Sequence, residues 1–203
     1  MRLQTIAILF FFAAAATGCN KDSGESSEGR GVYSLSSVEG PDKVKALITN
    51  DFLKWINDPV IVEAIKKANA KNEKRSMDEI KAADQEWIKA EGISDLMREM
   101  LTNDAAQFLK KKQKESDGKY SEIFVMDFQG CNVAMSAKTS DFWQGDEAKF
   151  IKSYNDGKGA VFVDKVKFDE STKVPQVQVS LPVLDGNKVI GAITIGVSLD
   201  NLQ

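Results

Sequence analysis

The fold is set by Gln176-Val177-Gln178-Val179-Ser180-Leu181-Pro182-Val183-Leu184-Asp185-Gly186-Asn187-Lys188-Val189-Ile190-Gly191-Ala192-Ile193-Thr194-Ile195-Gly196-Val197. Its first half alternates: Val177, Val179, Leu181 and Val183 fall on one side of an extended chain, and Gln176, Gln178, Ser180 and Pro182 on the other. Asp185-Gly186-Asn187 supplies a turn, and the second half then alternates bulky Ile193, Ile195 and Val197 with small Ala192, Thr194 and Gly196. The result is a long antiparallel hairpin. Its apolar side needs cover. Its small-residue side leaves a hollow to which Gln178, Ser180 and Thr194 lend hydrogen-bonding groups, which is the make-up of a small-molecule pocket.

Working outward, Tyr120 to Asp127 and Asn132 to Ser136 read as two strands joined through Phe128-Gln129-Gly130, with Asp127 fixing the turn. A third strand covers Ala160 to Phe168, so the sheet has five strands with those at Val174 to Val183 and Val189 to Val197. Between the second and third strands lies Ser140-Asp141-Phe142-Trp143-Gln144-Gly145-Asp146-Glu147. Asp146 can cap a short helix bearing Ala148, Phe150, Ile151 and Tyr154, which Asn155-Asp156-Gly157 ends. The excursion from Asp141 to Gly145 makes a lid: Trp143 offers an aromatic wall and an indole donor, Gln144 lies beside it, and Gly145 lets backbone approach closely. Asp164 can present a carboxylate to the same space or pair with a lysine at the strand end.

Upstream, the chain is helical. Val44, Leu47, Ile48, Phe52, Trp55 and Ile56 form one helical stripe. Asp58-Pro59 reads as an N-cap with proline at the first helical position, opening a segment with Ile61, Ala64, Ile65 and Ala68. Ser76 and Glu79 have capping-box spacing for a helix from Met77 to about Ala90. Ser94 or Asp95 caps a last helix whose apolar face runs from Leu96 to Leu109 and whose end carries Lys110, Lys111, Lys112 and Lys114, where the helix dipole favours cations. Those lysines read as a solvated helix end, and Trp55 and Trp87 as core.

The segments Glu122 to Asp127, Gly159 to Asp164, Asp169 to Thr172, Val179 to Val183 and Ile190 to Val197, in this order and with Asn57-Asp58-Pro59-Val60 and Lys67 to Trp87 ahead of them, resemble the extracytoplasmic PDC, or single-Cache, sensor family. The resemblance spans residues 41 to 202. It implies an α+β fold in which N-terminal helices pack on a five-stranded antiparallel PAS-like sheet, with the last strand central. It also implies that a ligand sits between the excursion and the inner faces of the last three strands. Trp143, Gln144, Asp164, Gln178, Ser180 and Thr194 are the expected ligand-binding residues.

The N-terminal end reads as an address. Arg2 precedes an apolar run from Leu3 to Ala16, and Ala16-Thr17-Gly18-Cys19 resembles a bacterial lipobox. The expectation is a signal peptide at 1–18, a lipidated Cys19 with a flexible tether at 19–40, and one domain at 41–203. Asn20 to Gly31 is polar and charged, and a flexible chain of that length spans about 20 Å. Without Arg2 the balance is 26 basic to 30 acidic residues, which favours neither nucleic acid nor anionic lipid.

The sequence contains no histidine, which removes the commonest general base and imidazole metal ligands. With Cys19 lipidated, Cys131 stands alone and reads as a small half-buried hairpin residue. No cofactor is implied. Catalysis by carboxylates such as Asp164, Asp169 and Glu170 is the least favoured reading, since Asp169 to Thr172 reads as a turn.

The expected function is that of a lipid-anchored periplasmic sensor without enzymatic activity. It binds a small solute and acts in trans on a membrane partner such as a kinase, chemoreceptor or cyclic-dinucleotide enzyme. The chain ends a few residues after the last strand, so no second membrane segment is expected to carry the signal. The alternative is a structural, adaptor or solute-scavenging lipoprotein. Arg30, Arg75 and Arg98 are the only arginines after Arg2 and none lies in the sheet half, which disfavours a dicarboxylate. Trp143 with Asp164 or Asp146 suits an amine, while Lys149, Lys158 and Lys165 leave room for an anion. Asn20 is not the aspartate associated with inner-membrane retention, so the outer membrane is the expected destination.

Overall fold

The computed structural model describes residues 31–169 and 174–202. The expected signal peptide, Cys19 and Glu170 lie outside the described residues. Helices α1 (Asp42–Asn50), α2 (Pro59–Asn72), α3 (Met77–Lys89), α4 (Asp95–Thr102) and α5 (Asp104–Glu115) come first. Strands β1 (Tyr120–Met126) and β2 (Asn132–Met135) follow, then helix α6 (Ala148–Tyr154), then β3 (Phe162–Val163), β4 (Lys167–Asp169), β5 (Val174–Asp185) and β6 (Lys188–Ser198).

The architecture is α+β, with an antiparallel sheet in the order β2-β1-β6-β5-β3 and β4 on the same edge of β5 as β3. The last strand is central, paired on one side with β1 and on the other along most of β5. Six strands form rather than the five expected, because the third one divides. Asp164 accepts a hydrogen bond from the Lys165 amide at 2.8 Å and an ion pair from Lys167 at 2.7 Å. The chain leaves β5 after Asp164, whose amide still donates to the Gln178 carbonyl at 2.9 Å, and returns at Lys167.

Local chemistry explains where the helices begin. Asp58 caps α2 by accepting from the Val60 amide at 3.0 Å, with Pro59 in the first turn. Ser76 and Glu79 close a reciprocal capping box on α3, with bonds of 3.3 and 2.8 Å. Two apolar stripes that run on in the sequence are nevertheless broken. After α1, Asp51 turns its carboxylate to the Trp55 indole N–H at 3.2 Å and to the Tyr120 hydroxyl, and residues 52–54 make a single 3-10 turn. After α4, Asn103 caps α5 by accepting from the Ala106 amide at 2.8 Å, while its Nδ2 donates to the Val133 carbonyl at 2.9 Å. The short helix α6 has Glu147, not Asp146, at its N-cap position and no side-chain cap bond.

The alternation of β5 and β6 sorts the core into two clusters. Val177, Val179, Leu181, Val183, Ile193, Ile195 and Val197 are buried with residues of α1, α2 and α5, including Val44, Ile48, Ile61, Ile65 and Leu109. On the opposite face Phe124, Met126 and Ala192 are buried with Trp87, Met97, Phe142 and Phe150. The body also gathers residues ahead of 41. Leu35 packs on the helix-side core, and the Tyr33 hydroxyl donates to the Pro182 carbonyl at 3.1 Å and accepts from Asn57 Nδ2 at 2.8 Å. Burial pushes the Tyr33 phenol up to about 12, against the opposing bond from Asn57.

Ile195 lies at the middle of this arrangement with no exposed surface. Ile195→Ala is expected to lower unfolding free energy by about 2–5 kcal/mol. Urea unfolding followed by circular dichroism checks this, and a loss below about 1 kcal/mol would contradict the assigned packing.

Candidate functional site

The excursion between β2 and α6 is tied down from three directions. Asp84 Oδ1 on α3 accepts from the Phe142 and Trp143 amides at 2.8 and 3.0 Å. The hairpin takes two further backbone bonds, from Asn132 N to the Phe142 carbonyl at 3.0 Å and from Gln144 N to the Gly130 carbonyl at 2.8 Å. Trp87 donates its indole N–H to the Thr139 carbonyl at 3.0 Å and lies 5.9 Å from the Phe142 ring. Gly130, at φ +84°, and Gly145 meet back to back, and a Cβ on Gly145 would run into the Trp143 indole. The close approach expected of Gly145 is therefore made by the chain itself.

Asp127 fixes the hairpin, as its spacing predicts. Its Oδ1 accepts from the Gln129 and Cys131 amides, both at 2.9 Å, and its Oδ2 from Asn72 Nδ2 at 2.7 Å. Burial raises its pKa, with those donors opposing the shift. Cys131 is fully buried rather than half-buried, and desolvation, with the Asp127 charge beside it, raises its thiol pKa strongly. This cysteine is a free, buried packing residue of the hairpin.

The expected ligand residues are not left free for a solute. The Trp143 indole N–H is committed to the Gln129 carbonyl at 2.9 Å, and Lys81 Nζ lies 5.9 Å from its ring centre. Gln144 is 1% exposed; its Nε2 donates to Asp141 and its Oε1 accepts from Lys149 Nζ at 3.1 Å. Gln178 Nε2 donates to Glu122 Oε1 at 2.8 Å. Ser180 and Thr194 stand opposite each other in register, are fully buried, and share a 2.9 Å hydrogen bond. Asp164 pairs with Lys167, the lysine alternative. Its burial opposes ionisation, but the bonds from Lys167 and the Lys165 amide and the charges of Lys167 and Lys149 hold its pKa below the ordinary value.

The fold brings Gln178, Ser180 and Thr194 onto one face, with Trp143 and Gln144 anchored on the hairpin, yet the hollow foreseen over Ala192 and Thr194 is occupied. Phe124 stands opposite Thr194 in register and Met126 opposite Ala192, and both belong to a buried cluster with Phe142 and Phe150 on that face. The Lys149 ammonium, held over Phe124 at 5.4 Å and paired with Glu147 at 3.0 Å, occupies a position suited to the expected amine.

Open space lies elsewhere. A cleft of about 490 Å³ runs between α2 on one wall and α4 with the start of α5 on the other, and its floor includes Asn132, Val133 and Phe142. A smaller hollow of about 350 Å³ lies beside Asn69, Phe128 and Tyr154. Neither hollow is lined by any of the six expected residues. Arg75, which follows α2 in the chain, enters the cleft wall with its guanidinium 5.4 Å from the Phe142 ring centre. Sequence reasoning set Arg75 aside because it precedes the sheet. The only advance signal was its place in the turn just before the Ser76 cap.

Among the described residues no helix is long and apolar enough to cross a membrane. No family model matches the sequence, and no curated protein matches it. Solved structures similar to this chain include the sensor domain of the histidine kinase DctB from V. cholerae, at 14% identity and TM-score 0.42, covering 79% of this chain and 54% of that one. The ligand-binding domain of the amino-acid chemoreceptor PctC from Pseudomonas aeruginosa PAO1, in complex with GABA, is 14% identical with TM-score 0.39 and is covered over 63% of its length by 76% of this chain. The sensory domain of the Campylobacter jejuni chemoreceptor Tlp3 is 14% identical with TM-score 0.41, covering 80% of this chain and 64% of that one. The chain thus spans less than two thirds of each of these structures.

Removing the Asp84 carboxylate leaves two excursion amides without their acceptor. Asp84→Ala is expected to destabilise the protein by about 1–3 kcal/mol and to speed hydrogen exchange at Phe142 and Trp143 more than in β6. Amide exchange followed by NMR reads this, and unchanged protection at those two amides would refute the anchoring role.

Proposed function

We propose that this chain is a non-catalytic, membrane-tethered sensor domain of the PDC or single-Cache type that takes up a small solute and acts on a separate membrane signalling protein. The observation that carries the proposal is the cleft between α2 and the α4–α5 pair. Its volume of about 490 Å³ falls within the range of small-molecule sites, and its lining divides evenly between apolar residues and polar or charged ones. It also lies at the joint between the two layers on the sheet. Lys67 and Ala68 on one wall belong to α2, whereas Phe142 belongs to the excursion that hangs from Asp84.

A sensor needs a ligand that interacts differently with two arrangements of the protein. A solute in this cleft bears on α2 and on the α4–α5 pair together, so its occupancy biases how those helices sit against the anchored excursion. The lipobox-like Ala16-Thr17-Gly18-Cys19 supports a lipid anchor on a periplasmic membrane face, with the outer membrane favoured. The described carboxylates Asp164 and Asp127 have partners that suit structural roles, which supports a non-catalytic reading.

A structural or adaptor role is the second reading. It is favoured by the closed space over Ser180 and Thr194, where a metabolite was expected and the protein's own rings lie instead.

Thermal shift against a panel of small metabolites separates the two. The sensor reading predicts at least one solute that raises apparent stability by about 2.7 kcal/mol at a hundred times its Kd. Ala68→Trp, which fills the cleft from α2, is expected to abolish that shift while circular dichroism shows the fold retained. A shift that survives Ala68→Trp and disappears in Ser180→Ala would move the site to the sheet. A panel without any stabilising solute would leave the adaptor reading.

A further inference from the structure

We infer that β4 is a pairing edge for a second copy of this chain, with two copies joined strand to strand about a two-fold axis at Phe168. This is independent of the reading of the cleft as a solute site. The two margins of the sheet differ. At one, β2 is packed by α4 and α5, and Asn103 donates to the Val133 carbonyl at 2.9 Å. At the other, β3 and β4 both pair with β5, and among the described residues no strand lies beyond them. An edge of that kind is a template for another strand.

The backbone of β4 points its polar groups outward at one known residue. Phe168 stands opposite Pro175 of β5, and proline has no N–H to donate. The Pro175 carbonyl instead accepts from the Leu199 amide at 3.0 Å, on the β6 side. Phe168 and Pro175 are therefore a pair that exchanges no hydrogen bonds, and the amide and carbonyl of Phe168 face away from β5. One residue with both groups turned outward is what an antiparallel neighbour needs in order to exchange two bonds with it.

The side chains specify which neighbour. Among the described residues Phe168 is the most exposed large apolar side chain, at 57%, and Val166, two residues earlier, is also exposed. The strand itself reads Lys167-Phe168-Asp169, which is its own complement when run antiparallel. With the axis at Phe168, position 167 of each copy opposes position 169 of the other, lysine against aspartate, and the two Phe168 residues face each other. Moving the axis to Lys167 or to Asp169 sets like charges against each other, which disfavours those registers. Lys167 already pairs with Asp164 at 2.7 Å but remains largely exposed, so its ammonium is open to a second carboxylate. So short an edge buries little area, and the association is weak and reversible.

Sedimentation equilibrium of the full chain tests the inference. The expected result is a monomer–dimer equilibrium with a Kd of about 0.1 mM that weakens as salt is raised. Phe168→Asp should weaken it at least about tenfold while circular dichroism shows the fold retained. Lys167→Asp alone and Asp169→Lys alone should each weaken it, since each sets like charges across the pair, and the two together should restore it. Restoration in the double exchange is the readout that a merely structural role for either residue would not give. A chain that stays monomeric up to about 1 mM would leave the edge to some other strand and overturns the inference. A dimer indifferent to Phe168→Asp, or a double exchange no stronger than the single ones, overturns it equally.

Discussion

Burial of β6 on both faces is the constraint from which the rest follows. The strand pairs with β1 and β5 along its length, and residues 189–198 are buried throughout. Its large side chains point to one face and its small ones to the other, so the two faces call for different partners. Ile193, Ile195 and Val197 accept the apolar stripes of α1, α2 and α5. Ala192 and Thr194 face Met126 and Phe124 of β1, which are buried in one cluster with Phe142 and Phe150. A helical layer and an aromatic-rich excursion on opposite sides of one strand meet around the β2 edge, and the cleft opens at that meeting.

The excursion's position is over-determined. Asp84 holds two of its amides, Trp87 packs under Phe142, and the Gly130–Gly145 approach leaves no room for a side chain on either. Such anchoring makes Phe142 a rigid part of the cleft floor instead of a moving lid. It also explains why the Trp143 indole has no free donor: the group that sequence reasoning assigned to a ligand closes a bond to Gln129 within the same assembly.

Much of the fold was legible. The alternation in β5 and β6, the Asp58-Pro59 start and the Ser76–Glu79 box each depend on neighbours a few residues apart, and each appears where the spacing puts it. Two helix breaks were not legible, because the apolar stripe continues across them. Asp51 and Asn103 interrupt their helices through bonds to Tyr120 and Val133, which are distant in sequence. The site was harder still. Small residues at Ala192 and Thr194 show that a face has depth, but not whether a metabolite or a phenylalanine fills it. Arg75 reaches Phe142 only through the tertiary path of α3 around the sheet edge, and no local pattern carries that information.

The most direct test of the account is a crystal of the protein soaked in aqueous isopropanol, which marks where an apolar solute can settle. Density against Phe142 and Met100 between α2 and α4, with none over the Ser180–Thr194 pair, is the predicted result. Solvent molecules lodged between the sheet and the excursion, with the helical cleft empty, would contradict it.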